Sequence, residues 1–359
     1  MNHLESQLNY VFGDTVPAPG APFEVAPGVY WLRMGLPFAL NHINLWLLQD
    51  HFDDGAGPQP GWTVVDSGIA DEATRQAWET VFASGLGGHP IARVIATHCH
   101  PDHVGLADWL CKRWNAPLWM SAGEYGFARM MSSALPGLNG AAALPHFQRH
   151  GVTDPSMLQQ LEGRKGHYPT LAPAVPTSYR RLQDGQTLRI GRHEWRVIAG
   201  FGHSPEHVSL YCADLNMLIS GDMVLPRIST NVSVFAVEPE ANPVQLYLDS
   251  LKKYAGLPHD TLVLPSHGMP FRGLHTRIKQ LEEHHRERLA EVRQACAAPK
   301  SAADIVPLMF RRALDAHQLT FALGEALAHL HKLWFDGLLQ RTSRTDGVIV
   351  FRTTSKDIP

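Results

Sequence analysis

The first part of the chain alternates short apolar runs with one amphipathic segment. Aromatic and β-branched residues alternate with smaller or polar ones over residues 28–33 and 41–48, which predicts two strands. A third short strand is predicted at 62–65, and residues 91–96 form an apolar run of buried-strand length. Residues 71–82 show a helical pattern with an acidic first turn. This succession of strands and helix indicates an α/β fold.

The same kind of pattern returns in the second half of the chain. A helix is expected over residues 243–254, after several short apolar runs of strand length. The strands are predicted at 187–190, 194–198, 208–211, 217–220 and 261–264. Residues 1 to about 27 are rich in proline and glycine, so we expect an irregular lead-in there.

The chain beyond residue 272 has a different pattern. A charged helix is predicted over 272–297, followed by helical patterns at 301–313 and 317–333. Two strands at 338–342 and 347–352 would then pair across a turn at 345–347. Helices followed by a hairpin suggest a winged-helix-like tail. We therefore divide the chain into a domain of residues 1–272 and a small C-terminal domain of residues 273–359.

Residues 121–180 are unlike their surroundings and read as a helical insertion. They mix short helical patterns with proline, glycine and alanine, and they carry large apolar side chains at Met130, Met131, Leu135, Leu138, Leu144 and Phe147. Such residues could form a lid over a pocket for an apolar group. The alternative is that they form a small satellite core or a dimer interface.

Composition narrows the class of protein. Of 359 residues, 44% are hydrophobic and 18% are charged, as in ordinary globular proteins, and the net charge of −3 gives no general attraction to nucleic acid or anionic membrane. There is no apolar run of about 18 residues and no secretory signal at the start, so we expect a cytoplasmic protein. The four cysteines are widely spaced, which favours reduced thiols. The 21 histidines are the unusual feature.

Four side chains of the types that bind metal ions fall within six residues. His98, His100, Asp102 and His103 follow directly after the apolar run at 91–96, on a predicted strand-to-helix loop. Imidazole nitrogen and carboxylate oxygen are ligands of zinc and similar ions. Residues 98 and 100 can converge on one ion while 102 and 103 turn toward a second. A helix cap without metal is the alternative for this segment taken alone.

Three further segments carry a candidate ligand at or just beyond the end of a predicted strand: His203 in G-H-S-P-E-H, Asp222 in G-D, and His267 in S-H-G. Together with H-x-H-x-D-H at 98–103, their order and spacing resemble the metallo-β-lactamase superfamily over about residues 25–272. The resemblance implies an αββα sandwich with a binuclear metal site. The C-terminal tail resembles the winged-helix appendage of one subgroup that includes an endoribonuclease.

The resemblance also implies a role for each residue. Two divalent ions are expected, with zinc as the favoured metal and iron or manganese as alternatives. One ion would be bound by His98, His100 and His203, the other by Asp102, His103 and His267, and Asp222 would bridge them. A hydroxide shared by the ions would be the nucleophile, because both lower the pKa of bound water. Asp102 would orient the nucleophile or pass a proton to the leaving group.

Two more residues are assigned around the ligands. Asp66 matches an aspartate that supports the metal loop from behind the ligands, with a turn-capping role as the alternative. His207 either supports the ligands in the same way or is a core histidine. Cys99 lies between two ligands and is expected to face away from the metal as a packed thiol. Glu206 replaces the glycine usual in the family after G-H-S-P.

The substrate is less well defined than the chemistry. A metal-dependent hydrolase acting on an ester, thioester or lactone of an apolar acyl group is the leading hypothesis, with a small molecule as substrate. The alternatives are an endoribonuclease or phosphodiesterase, a mononuclear iron dioxygenase acting on sulfur compounds, and a non-catalytic metal-binding protein. From residue 300 onward, eight basic and six acidic residues leave a net charge of only +2, which argues against nucleic acid. A homodimer is compatible with the sequence.

Overall fold

The architecture was obtained from a computed structural model, which describes residues 4–53, 55, 57–133, 143–163, 166–311 and 314–355. The strands are β1 Phe23–Ala26, β2 Val29–Gly35, β3 His42–Asp53, β4 Pro58–Val65, β5 Ile91–Ile95, β6 Leu118–Ser121, β7 Arg180–Leu182, β8 Thr187–Ile190, β9 His193–Gly200, β10 His207–Cys212, β11 Met217–Gly221, β12 Leu262–Pro265, β13 Leu339–Ser343 and β14 Ile349–Thr353. The α-helices are α1 Glu72–Thr80, α2 Pro101–Val104, α3 Ala107–Trp114, α4 Ala122–Ser132, α5 Ala143–Arg149, α6 Pro155–Glu162, α7 His167–Leu171, α8 Pro243–Leu251, α9 Leu274–Ala295, α10 Ala302–Met309 and α11 Ala316–Phe335.

The strands form two sheets that pack against each other. The first has the order β1-β2-β3-β4-β5-β6-β7 and is antiparallel up to β4 and parallel from β4 onward. The second has the order β12-β11-β10-β9-β8, with only the β11–β12 pair parallel. Trp31 and Trp46 of the first sheet meet Trp195 and Leu210 of the second in one buried core. The sheets therefore form the two inner layers.

Helices cover both outer faces. Trp78 of α1, Leu110 of α3 and Ala128 of α4 are buried against the first sheet. On the other side, Tyr247 of α8 and Leu281 of α9 belong to a core shared with the second sheet. The predicted αββα sandwich is confirmed.

The ends of several elements differ from the sequence prediction. Strand β1 lies within the predicted irregular lead-in, because it pairs with β2 as an edge strand. After the metal-binding motif, the chain forms two helices, α2 and α3, which are separated at Gly105. A Cβ at Gly105 would lie 2.5 Å from the carbonyl oxygens of Leu171 and Pro101, so this turn packs directly against the end of α7. Tertiary packing thus requires a residue without a side chain between the two helices.

The insertion is bounded by strands β6 and β7 and contributes helices to two different cores. Helices α4 and α7 pack on the first-sheet core, whereas Phe147 of α5 and Leu161 of α6 are buried with Ile305 of α10. Met130 and Met131 are partly buried. Leu135 and Leu138 lie outside the described residues. The lid function of the insertion stays a prediction.

The C-terminal region contains the helices and hairpin expected from the sequence. Helices α9, α10 and α11 are followed by β13 and β14, which pair antiparallel across a turn at Gly347. Residues 312 and 313 of the predicted helix 301–313 lie outside the described residues. The likeness to a winged helix and the boundary at residue 272 stay predictions. Along the described ranges, no helix combines the length and apolar character needed to cross a membrane, and the cytoplasmic location stays a prediction.

Candidate metal centre

A buried aspartate fixes the loop that carries the first candidate ligands. Asp66 follows β4 and accepts hydrogen bonds from the backbone N of Thr97 at 2.7 Å and from its Oγ1 at 2.9 Å. The same carboxylate lies 2.8 Å from Nδ1 of His103. Asp66 is 1% exposed, and its carboxylate oxygens are directed at the metal loop, which we define as residues 97–103. Asp66 therefore lies behind the metal loop and contacts it at Thr97 and His103.

The metal loop changes conformation in its middle. His100 has extended backbone angles and precedes the first residue of α2, Pro101. Asp102 and His103 therefore lie in the first turn of a short helix and not on an irregular loop as predicted. Proline at the first helical position needs no hydrogen bond for its nitrogen, which favours this helix start. His103 nevertheless stays beside His98, with 3.8 Å between the centroids of the two rings.

The first group of candidate ligands joins the metal loop to the second sheet. His98 Nε2 lies 2.9 Å from His100 Nδ1 and 3.2 Å from Nε2 of His203, which follows β9. Because β9 belongs to the second sheet, the sandwich itself brings these histidines together. The three nitrogens form a compact set that could hold a metal ion.

The second group lies beside the first. Nε2 of His103 is 3.6 Å from Oδ2 of Asp102, and Nε2 of His267 is 3.4 Å from the same oxygen. His267 follows β12, the edge strand of the second sheet. These three atoms form another set with the spacing of metal ligands.

Asp222 lies between the two groups. Its Oδ2 is 3.5 Å from Nε2 of His203, whereas its Oδ1 is 3.6 Å from Nε2 of His103 and 3.5 Å from Nε2 of His267. One carboxylate thus faces both sets with different oxygens. All seven predicted ligands are brought together in the structure.

In His203 and His267, the hydrogen bond made by Nδ1 determines that Nε2 faces the site. Nδ1 of His203 donates to the carbonyl oxygen of Asn231 at 2.7 Å, and Nδ1 of His267 donates to that of His42 at 2.7 Å. The lone pairs of Nε2 then point inward, as metal ligation requires. His103 Nε2 and Asp222 Oδ1 are buried and have no hydrogen-bond partner among the described residues. Unpartnered buried donors and acceptors are costly, so this set fits a bound cation.

Burial keeps the first group neutral. It lowers the pKa of His98 and His100 well below 6.5, with neighbouring histidines acting in the same direction, and it also lowers the pKa of His203. A neutral imidazole is the form that binds metal. These rings are therefore in the ligand state at neutral pH.

The second group carries opposite charges. Burial acts to lower the pKa of His103, but the carboxylates of Asp66 and Asp102 outweigh it and raise this pKa to about 10. Burial acts to raise the pKa of Asp222, but the neighbouring His267 and His103 hold it well below 3.8. The carboxylates therefore create a site that attracts positive charge. Without a metal ion, His103 binds a proton there; a metal ion would compete with that proton.

Family comparisons agree with this geometry. The protein-family model described as "Metallo-beta-lactamase superfamily" matches residues 58–267, which is more than half of the chain. The chain belongs to the metallo-beta-lactamase superfamily. A second model, "Metallo-beta-lactamase-like, C-terminal domain", matches residues 289–354. The resemblance stated from the sequence motifs is confirmed.

Relatives of this superfamily member cover nearly the whole chain. A solved beta-lactamase domain protein from Burkholderia ambifaria is 58% identical, with a TM-score of 0.92, over 98% of this chain and all of that one. A metallo-beta-lactamase family protein from Thermus thermophilus is 26% identical, with a TM-score of 0.76, over 92% and 100%. "Probable metallo-hydrolase YqjP" of Bacillus subtilis is 24% identical over 90% of this chain and 97% of its own length. The similarity thus extends into the C-terminal region.

His207 lies directly behind Asp222 in this fold. Its Nε2 accepts from the backbone N of Asp222 at 3.1 Å, and the ring is fully buried. Gly221 has a φ of 53°, and a Cβ there would lie 2.2 Å from Nε2 of His207. The G-D motif therefore needs its glycine because the histidine packs against it. His207 thus supports Asp222 from behind, and its ring centroid lies 4.9 Å from that of His98.

Glu124 is a residue of the site that the sequence reasoning missed. This buried carboxylate of α4 accepts from the backbone N of Cys99 at 2.8 Å, from Oγ of Ser204 at 2.6 Å and from the backbone N of Glu206 at 2.6 Å. It thereby joins the loops that carry His98 and His203. The available signal was Ser121-x-x-Glu124, but that spacing is typical of a helix capping box, which gives no hint of contacts elsewhere.

The Cys99 peptide is held from both sides. Tyr168 of α7 donates its hydroxyl to the carbonyl oxygen of Cys99, opposite the Glu124 contact. The Cys99 side chain is buried among apolar residues of the first-sheet core, as expected for a packed thiol. Glu206 accepts from the backbone N of Gly123 at 3.0 Å, in the first turn of α4. The insertion thus supports the metal loop through two of its helices.

Proposed function

We propose that this chain is a hydrolase with two divalent metal ions, zinc being the favoured metal, acting on an ester, thioester or lactone of an apolar acyl group. The observation that carries the binuclear part is Asp222, whose two oxygens face two separate groups of nitrogen and oxygen ligands. A carboxylate in that position is suited to bridge two cations.

The residues divide the work in this proposal. His98, His100 and His203 would hold one ion, and Asp102, His103 and His267 the other. Two ions held in this way would supply an activated water nucleophile and would stabilise the negative charge on the acyl oxygen. Hydrolysis then requires neither serine nor cysteine as nucleophile.

Asp102 is the proposed acid–base residue. Its side chain is 19% exposed, against 10% for Asp222, so it is the more accessible carboxylate of the centre. Oδ2 faces His103 and His267, and the carboxylate can orient the water and accept its proton for transfer to the leaving group.

Support for an acyl substrate comes from the insertion. Tyr168 brings α7 onto the metal loop, and helix α4, which contacts α7, carries the partly buried apolar side chains of Met130 and Met131. Adaptable methionine side chains suit an apolar acyl group. The curated relative YqjP is itself called a probable metallo-hydrolase.

Metal analysis and a substrate panel test the proposal together. The purified chain is expected to contain about two zinc ions and to cleave thioesters or lactones rather than phosphodiesters or RNA. One iron per chain would contradict the two-zinc site. Phosphodiester cleavage by a protein inert on acyl substrates would contradict the substrate class, and inertness on every substrate would leave a metal-binding protein without turnover.

The variant Asp102→Asn tests the role of the acid–base residue. Turnover is expected to fall by about 100-fold or more, because general acid–base catalysis typically contributes that much. Asp108→Asn is the matched control, since Asp108 lies on the neighbouring helix α3 and pairs with Lys112 instead of a ligand. If Asp102→Asn kept both its metal and its turnover, Asp102 would have no catalytic role.

A further inference from the structure

We propose that the C-terminal helices α9 and α11 position the metal ligands His203 and Asp222, and that Glu325 of α11 is the positioning residue. The contact runs through a linking segment, which we define as residues 222–234. The inference rests on the metal site of the proposed function and is independent of the substrate. It assigns to the C-terminal region a part in building the metal centre.

The linking segment touches two ligands that come from different strands. Asp222 is its first residue, and the Oγ1 of Thr230 donates back to the carbonyl oxygen of Asp222. The next residue, Asn231, accepts from Nδ1 of His203 through its own carbonyl oxygen at 2.7 Å. Thr230 is 1% exposed. Two adjacent residues of one irregular segment therefore orient two ligands.

The side chain of Asn231 is fixed by the C-terminal helix α11. Its Nδ2 donates to Oε2 of Glu325 at 3.2 Å, while its Oδ1 accepts from Oγ of Ser233 at 2.8 Å. An amide anchored at both ends cannot rotate freely, and its backbone carbonyl is held with it. Glu325 thus acts on His203 through one intervening residue.

The backbone of the segment also approaches α11 closely. The N of Val234 donates to the carbonyl oxygen of Gly324 at 3.2 Å. A Cβ at Gly324 would lie 2.8 Å from Cβ and from Oγ of Ser233. This helix position therefore needs glycine, because any larger residue would push the segment away from Glu325.

Helix α9 holds the beginning of the same segment. Arg277 is 4% exposed, and its guanidinium donates to the carbonyl oxygen of Leu225 at 2.6 Å and to that of Ile228 at 2.8 Å. Charge-assisted hydrogen bonds of this kind are stronger than neutral ones. The C-terminal helices thus contact the segment near its start, its middle and its end.

The expected consequence is a selective effect on one group of ligands. Without Glu325, the Asn231 carbonyl loses its fixed position, and His203 loses the acceptor that orients its ring. Removing a partner that orients a metal-bound histidine typically weakens metal binding about 10- to 100-fold. The group formed by Asp102, His103 and His267 is anchored elsewhere and is expected to change less.

Metal affinity of the full-length chain is the test. Zinc or cobalt affinity is measured by chelator competition for the wild type, Glu325→Ala and Glu325→Gln. Glu325→Ala is expected to weaken the binding of one ion by about 10-fold, whereas Glu325→Gln keeps an acceptor oxygen and should restore binding. Combining Glu325→Ala with Asn231→Ala should cost no more than the Asn231→Ala change alone, because both remove the same contact.

Asp304→Ala is the matched control in the same region. Asp304 forms the capping box of α10 with Ser301, so its loss should lower the unfolding temperature and leave metal affinity unchanged. If Glu325→Ala behaved like Asp304→Ala, Glu325 would have only a structural role and the proposal would be overturned.

Hydrogen exchange of the metal-free chain separates this proposal from the proposed function. Glu325→Ala should speed amide exchange in residues 225–234 and leave the metal loop unchanged. Should the wild type bind no metal, the proposed function fails, and unchanged exchange in this segment would overturn the positioning role as well. Faster exchange confined to the segment, together with weaker metal binding, supports it.

Discussion

The two halves of the candidate metal centre are built in different ways. The metal loop supplies four donors within six residues, and buried carboxylates hold it: Asp66 contacts Thr97 and His103, and Glu124 contacts the backbone of Cys99. The other three donors come from separate strand ends, and the two histidines among them are oriented by backbone carbonyls, those of Asn231 and His42.

This difference decides what each half depends on. A carboxylate acceptor on a neighbouring element orients a loop directly. The position of a backbone carbonyl depends on the segment that carries it, and therefore on the elements against which that segment packs. For His203, the packing partners are α9 and α11 in the C-terminal region. The metal loop should therefore be insensitive to changes in the C-terminal region. The same changes should disturb His203, whose orientation depends on that region.

The largest expected effect belongs to the residue that joins the halves. Asp222→Ala removes the carboxylate that faces both groups, so the affinity for both ions should fall. The loss should exceed the roughly 10- to 100-fold loss typical of a residue that only orients a ligand. Metal content after dialysis and chelator competition measure this. His203→Ala is the comparison and should affect mainly one ion; equal losses in both variants would argue against a bridging carboxylate.

Loss of Glu124 should rank second. Glu124→Ala leaves two buried donors and one partly buried donor without their acceptor, and the loss of a buried donor's acceptor costs about 1–3 kcal/mol. The free energy of unfolding in urea is expected to fall by roughly 3 kcal/mol or more, and metal affinity should fall as well because both loops lose their common anchor.

Glu124→Gln sharpens this comparison. Glutamine has the same shape as glutamate but turns an N–H toward one of the donors. The free energy of unfolding of this variant should therefore lie between that of the wild type and that of Glu124→Ala. Glu325→Ala should instead reduce metal affinity with little loss of stability. Identical profiles for the Glu124 and Glu325 variants would remove the distinction between the two halves.

Lowering the pH by one unit should have a smaller effect than the loss of Glu124, and it acts on helices α9 and α11, which hold the segment that orients His203. Burial lowers the pKa of His329 to about 4 and that of His285 to about 2, and the neighbouring His329 lowers the pKa of His285 further. In the unfolded chain, both have a pKa near 6.5. As the pH falls from about 6.5 to about 4, the unfolded chain binds protons that the folded one does not, so the free energy of unfolding decreases by about 1.4 kcal/mol per pH unit for each histidine.

Urea unfolding of the metal-free chain between pH 7 and 4.5 measures this slope. His329→Gln removes one of the two titrating groups and should make the decrease shallower. An unchanged slope would mean that other buried histidines, and not the α9–α11 pair, control the stability of this region in acid.

The sequence by itself determined the layered α/β architecture, the order of most strands and the seven candidate ligands. It could do so because the period of apolar residues reports strands and helices directly, and because ligands such as His98 and His203 sit at the ends of such strands. Asp66 was also predictable, since it ends an early strand within a family motif. These features depend on local pattern and on the order of motifs along the chain.

Only the tertiary structure decided how the ligands are held. Glu124 has the spacing of a helix cap, and Asn231 and Glu325 lie 94 positions apart with no pattern to connect them. Their contacts arise where α4 meets the loops of both sheets and where α11 packs on the linking segment. A hydrogen bond between distant residues depends on the approach of two backbones, and Gly324 permits that approach through the absence of a side chain. The period of apolar residues indicates which side of a helix or strand is buried, but it does not indicate which element packs against that side.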